Sequence, residues 1–251
     1  MSVVKFPIDT RGVVNFTEGY ILLTPEGIRS GGARHPNYKD TYVYTLAVPT
    51  YWSDFYECLM EMDKNGGTVR SIKEEYELFF YVLEGTATLR VDNDFYEMSN
   101  GTYVYLPPNT AHSIDKVSIA PFNFLLIKRK YVPAGLEGPK FIYGNEKDIP
   151  EEHVPEQNRS RKYLIPQEET AYDVSVNILK FQPGAGIPLV ETHVQHHGIY
   201  MLSGTCLWYL RNKWYQSKAG DFIWIMPFTP HSVWCTGATP SSNIIYKNWN
   251  R

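Results

Sequence analysis

Tyr81-Val82-Leu83-Glu84-Gly85 and Tyr200-Met201-Leu202-Ser203-Gly204 are two versions of one pattern: an aromatic residue, two apolar positions, one polar position, then glycine. They stand 119 residues apart. The same gap-free offset carries Gly67 to Gly186, Gly101 to Gly220, Pro108 to Pro227, His112 to His231 and Lys128 to Lys247. One coincidence would mean little. Glycines at turn positions, a proline, a histidine and a lysine all meeting at one offset mean duplication.

Outward from those glycines, each copy is a series of short aromatic and β-branched runs separated by Gly, Pro or Asn. In the first copy they are residues 78–83, 86–91, 102–106 and 122–128. In the second they are 174–181, 200–202, 207–210, 222–225 and 243–246. Many short strands with regular turn signals predict an all-β sandwich or barrel, here two in tandem. Aromatic residues make up 15% of the chain, with 19 Tyr, which suits pleated strands. Residues 131–167 read as an irregular joining segment, marked by Pro133, Gly135, Gly138, Pro139, Pro150 and Pro155. Residues 10–50 precede the first copy and either add strands or pack on the partner copy. The expected division is 1–145 for an N-terminal barrel and 146–251 for a C-terminal one.

With 251 residues, 43% of them hydrophobic and 20% charged, each copy is long enough to bury a core. A net charge of −3 with no basic stripe argues against a nucleic-acid partner. The run Lys128-Arg129-Lys130 reads as a strand end leaving the core rather than a phosphate patch. Three scattered cysteines make no disulfide framework, and Cys206 and Cys235, in strand-like runs, read as buried thiols. Met1–Thr10 lacks the charged and apolar regions of a secretory leader, and no apolar run reaches membrane-spanning length. The expectation is a cytoplasmic protein without a membrane partner.

The chemistry concentrates in Glu191-Thr192-His193-Val194-Gln195-His196-His197. Side chains of an extended strand alternate faces, so Glu191, His193 and His197 would project together and His196 away from them. His231, on a later strand, is the fourth candidate. Three imidazoles and a carboxylate suit a divalent transition metal: the imidazoles serve Zn2+, Fe2+ or Ni2+, and the carboxylate shifts the balance toward Mn2+ or Fe2+. Octahedral geometry would leave two positions for water or substrate, whereas tetrahedral zinc would close the site. The first copy is a built-in control. Ile72, Glu74 and Leu78 stand where Glu191, His193 and His197 would be, and only His112 persists, matching His231. The first barrel is therefore expected to be a metal-free scaffold.

These motifs resemble the cupin superfamily, whose jelly-roll-like barrels carry a histidine-rich motif followed by Gly and a second Gly-to-His motif. Here His197 stands six intervening residues before Gly204, and Gly220 eleven positions before His231. The order Glu-x-His-x-x-x-His resembles one bicupin family closely, the (S)-ureidoglycine aminohydrolases. The likeness runs through Leu22-Leu-Thr-Pro-Glu-Gly27, Lys128-Arg-Lys-Tyr-Val-Pro133, Glu191–Gly198, Trp214-Tyr215, Ala219–Trp224 and Tyr246-Lys247. It implies a manganese site in the second barrel, a homo-oligomer, and release of ammonia from ureidoglycine to give ureidoglycolate in allantoin (purine) catabolism. It also implies that Lys247 pairs with the substrate carboxylate.

Three positions depart from that family. His231 replaces a Gln ligand, Trp208 replaces an active-site Tyr, and Asn243 replaces a second Tyr four residues before the lysine. Trp208, Asn243 and Lys247 are the expected substrate-binding residues, and Glu191 and Lys247 the catalytic ones. Either Glu191 or a water on the metal could carry the proton to the departing nitrogen. Two His and one carboxylate also make the facial triad of non-haem iron enzymes, so a bicupin dioxygenase or isomerase acting on a small carboxylate-bearing substrate is the alternative. A non-catalytic small-molecule sensor is a third, weakened by the lack of any DNA-binding segment.

Overall fold

Runs such as Phe222–Ile225 are apolar at every position, not at every second one, because both faces of their sheets are covered. This is visible in a computed structural model that describes residues 11–133, 135 and 137–249. Met1–Thr10, read above for a leader, lie outside the described residues.

Each copy is built on a main sheet, and every strand pair is antiparallel. In the first, Thr102–Leu106, Glu77–Glu84, Phe122–Arg129 and Tyr56–Thr68 lie side by side, with Tyr38–Ala47 beyond. The second repeats the order with Phe222–Ile225, His197–Ser203, Ser241–Asn248 and Val174–Phe181, with Arg159–Tyr163 beyond. In the first copy the sheet continues past Tyr56–Thr68 into His112–Lys116, Ala87–Val91 and Asp94–Met98, whereas the matching strands of the second copy, His231–Cys235, Thr205–Leu210 and Lys213–Lys218, form a separate three-stranded sheet. The all-β, twin-barrel expectation holds.

Strand alternation divides the apolar residues among three cores. Phe80, Val104 and Phe124 fill the first barrel. Ile199, Ile223, Ile245 and the buried thiols Cys206 and Cys235 fill the second. The opposite faces of the two main sheets pack on each other through Phe79, Tyr105, Tyr200, Trp224 and Tyr246. Parity switches between copies because the repeat offset is odd.

The leading strands are exchanged. Tyr20–Leu23, ahead of the first copy, pairs with Phe222–Ile225 of the second. Ile142–Asn145, ahead of the second copy, pairs with Thr102–Leu106 of the first. Each closes a sheet edge whose N–H and C=O groups would otherwise stay unpaired. A cut at 145/146 is thus crossed by residues 13–23, which hydrogen-bond into the second barrel's sheet.

The joining segment is less irregular than its prolines suggest. Ile142–Asn145, Glu152–Val154 and Arg159–Tyr163 are strands within it. Arg159–Tyr163 carries charged and half-buried residues, so its apolar signal is weak, yet it pairs in register with Val174–Phe181. No described helix is long and apolar enough to cross a membrane.

Candidate metal centre

His193, His197 and His231 converge in the second barrel, each offering a ring nitrogen within 4.8 Å of the other two. Ring centroids are 4.6 Å apart for His193 and His197 and 5.0 Å for each of these with His231. His197 opens the strand His197–Ser203, and His231 opens His231–Cys235.

The run from Glu191 to His197 is not one extended strand. Glu191 makes an isolated bridge to His231, with Glu191 N–H to His231 O at 2.8 Å and His231 N–H to Glu191 O at 3.0 Å. Residues 192–196 then loop, because outside groups claim their backbone. Phe228 N–H donates to His193 O at 2.8 Å, and His196 N–H donates to Asn248 Oδ1 at 2.6 Å. The loop carries His193 to the other two rings. His196 instead stacks near Trp224, on the face between the barrels.

The imidazoles are held neutral, the state that binds metal. Burial, then the charges of His231 and Lys247, push His193 down to about 4. Burial also drives His197 well below its ordinary value, with further pressure from His231 and Lys247. His231 is lowered by burial, against the opposing pull of the Thr229 carbonyl and Glu191. Its Nδ1 lies 2.8 Å from Thr229 O. A proton on Nδ1 satisfies that contact and leaves Nε2 for a metal, the usual way a carbonyl orients a ligating histidine. Buried Nδ1 atoms of His193 and His197 have no hydrogen-bond partner. Neutral, converging imidazoles fit a divalent transition metal.

Glu191 lines the same cavity of about 240 Å³, but its carboxylate is not part of the 4.8 Å trio. Lys247 faces His197 across paired strands and lines the cavity too. Burial lowers its pKa, Glu191 opposes that, and Arg161 and Arg159 add to it. Trp208 lines the wall, buried, with its Nε1–H donated to Ser217 Oγ at 3.1 Å. Asn243 is fully buried deeper along the lysine's strand and is not among the lining residues. Both of its side-chain polar atoms lack partners.

The first copy keeps this backbone and changes the chemistry. Ile72 bridges His112 just as Glu191 bridges His231. Leu78 is buried where His197 would be. Glu74, at the place of His193, takes Lys128 as an ion-pair partner at 2.5 Å, and Lys128 sits 4.9 Å from the Tyr76 ring. Arg129 next to it is bound by Asp54 and Asp173, so two of the three basic residues of the run are committed internally and Lys130 is exposed.

Comparison with known proteins now bears on this geometry. Residues 58–128 and 177–244 match the family model of the cupin domain. An (S)-ureidoglycine aminohydrolase from Arabidopsis thaliana is 30% identical over 96% of this chain and 79% of that protein. One from Escherichia coli K12 is 29% identical, over 92% and 89% respectively. The crystal structure of the E. coli protein Ylba superposes with a TM-score of 0.85 at 29% identity, covering 97% of this chain and 96% of the other. The chain belongs to the (S)-ureidoglycine aminohydrolase family of cupins.

In this bicupin the sequence motifs located the trio, Glu191 and Lys247, but missed part of the cavity wall. Arg159 and Arg161, from the supposed joining segment, line it along with Gln167 and Asn177. Their signal was the alternation Arg159-Ser160-Arg161-Lys162-Tyr163, a strand period carried by charged residues.

Proposed function

We propose that this cupin hydrolyses (S)-ureidoglycine to (S)-ureidoglycolate and ammonia with a divalent metal, manganese first among the candidates. The reading is carried by one observation: His193, His197, His231, Glu191 and Lys247 line a single cavity in a chain whose relatives bear that activity in their names. His193, His197 and His231 would hold the metal, with Glu191, which lines the same cavity, as the fourth ligand. A metal there supplies Lewis acidity and a template for the substrate.

The chain's own groups do the rest. Lys247 receives the substrate carboxylate through charge-assisted hydrogen bonds. Glu191, whose charge acts on Lys247, or a water on the metal would move a proton toward the departing nitrogen. Trp208 has committed its N–H, so it offers the substrate an apolar face. Asn243, fully buried in the second barrel, would shape the cavity from the barrel interior. We expect a cytoplasmic homo-oligomer, which sedimentation of the purified protein would reveal.

Manganese-loaded protein should release ammonia from freshly prepared ureidoglycine, and His193→Ala should not. Wild type no faster than the uncatalysed reaction would remove this assignment. A second reading draws on the all-histidine trio with the carboxylate set apart: an iron-loaded oxygenase acting on a small carboxylate. Oxygen uptake with iron and none with manganese would favour it.

A further inference from the structure

We infer that Arg159 and Arg161 form a second recognition point, which grips the ureido carbonyl of the substrate while Lys247 takes its carboxylate. The inference rests on the ureidoglycine reading above and specifies which residues select that substrate.

Both arginines lie on the strand Arg159–Tyr163, two positions apart and so on the same face. Both line the cavity that holds the histidine trio. Each is anchored through its inner nitrogen. Arg159 Nε donates to Gln157 Oε1 at 2.5 Å, and Arg161 Nε donates to Glu152 Oε2 at 3.1 Å. Among the described residues the terminal amino groups of neither guanidinium donate a hydrogen bond, and the Arg161 guanidinium lies 5.1 Å from the Tyr163 ring. Anchoring at Nε fixes the plane of the fork and leaves its two outer donors for a ligand. A planar fork suits a carbonyl or carboxylate oxygen better than a point charge does.

The electrostatic setting agrees. Burial and Arg161 disfavour the charge on Arg159, and Glu191 partly offsets them. Both arginines also weigh on Lys247. Arg161 is paired with Glu152, so Glu191 is the lining carboxylate that faces Arg159 and Lys247, and an oxygen-rich ligand would add the further negative partner.

Trp208, which also lines the cavity, offers a ligand no donor, because its N–H is spent on Ser217.

The test is calorimetric binding of two probes to the manganese-loaded protein. N-carbamoylglycine carries a carboxylate and a ureido group; glycolate carries the carboxylate without the ureido group. Arg159→Met with Arg161→Met should weaken N-carbamoylglycine at least tenfold and leave glycolate within about twofold. Lys247→Met should weaken both. Arg159→Lys with Arg161→Lys keeps the charges and removes the forks, so it should behave like the methionine pair. Unchanged metal content and circular dichroism confirm that each variant folds. The inference is overturned if wild type does not bind N-carbamoylglycine, if the methionine pair weakens both probes alike, or if the lysine pair binds like wild type. Arginine-dependent probe binding without ammonia release would instead sink the proposed reaction and leave the recognition point standing.

Discussion

Lys128 and Lys247 occupy the same place in two copies of one barrel and meet different neighbours. Lys128 is neutralised by Glu74 at 2.5 Å, whereas position 193, the counterpart of Glu74, is one of the three converging histidines. Lys247 is thereby left for a ligand. Lys247→Met should cost about 2 kcal/mol of transition-state binding, the scale of a hydrogen bond to a charged group. That is roughly a thirtyfold loss in kcat/KM, measurable by steady-state ammonia release. His231→Gln keeps a donor atom at that position, and it should retain metal where His231→Ala loses it, as elemental analysis would show. The spacing of Glu191, His193 and His197 was legible in the sequence because ligand chemistry is carried by rare residue types. The burial of Asn243 beyond the cavity was not, since strand parity gives a face but no depth.

At the scale of elements, the strand of His197 is pressed against its neighbour from the first barrel. A Cβ on Gly198 would run into Glu57 Oε2 and the Phe55 ring. Gly198→Ala should therefore destabilise the protein by about 1–3 kcal/mol through overpacking, read from urea unfolding. Glu57 is itself buried, and burial alone pushes its carboxyl up to about 8 from 4.5. The folded chain keeps a proton that the unfolded chain releases. This group's contribution is thus full below 4.5 and drains away as pH rises through 8. Glu57→Gln cannot titrate, so its melting temperature should gain on wild type between pH 5 and pH 8. A constant difference would contradict the burial argument. Strands such as Phe222–Ile225 were legible because apolar runs bounded by Gly and Pro are strong signals. Arg159–Tyr163 was hidden because a strand beside a polar cavity carries charged residues, which read as loop.

The whole molecule is interlocked. Tyr20–Leu23 and Ile142–Asn145 each complete the other copy's sheet, and the main sheets share one apolar core. Neither barrel owns all the strands it needs, so the two should unfold together. Urea curves followed by circular dichroism and by metal release should coincide, and two separated transitions would count against the exchange. The duplication itself was legible from one constant offset. The exchange was not, because sequence order does not say which of two like edges a leading strand will close. The most direct test of the metal-centred account is a titration of metal-stripped protein with Mn2+ while ammonia release from fresh ureidoglycine is followed. The account predicts release that rises in proportion to bound metal, levels at one ion per chain, and stays at the uncatalysed rate in His193→Ala. Full release by the stripped protein, or none above the uncatalysed rate at full loading, would contradict it.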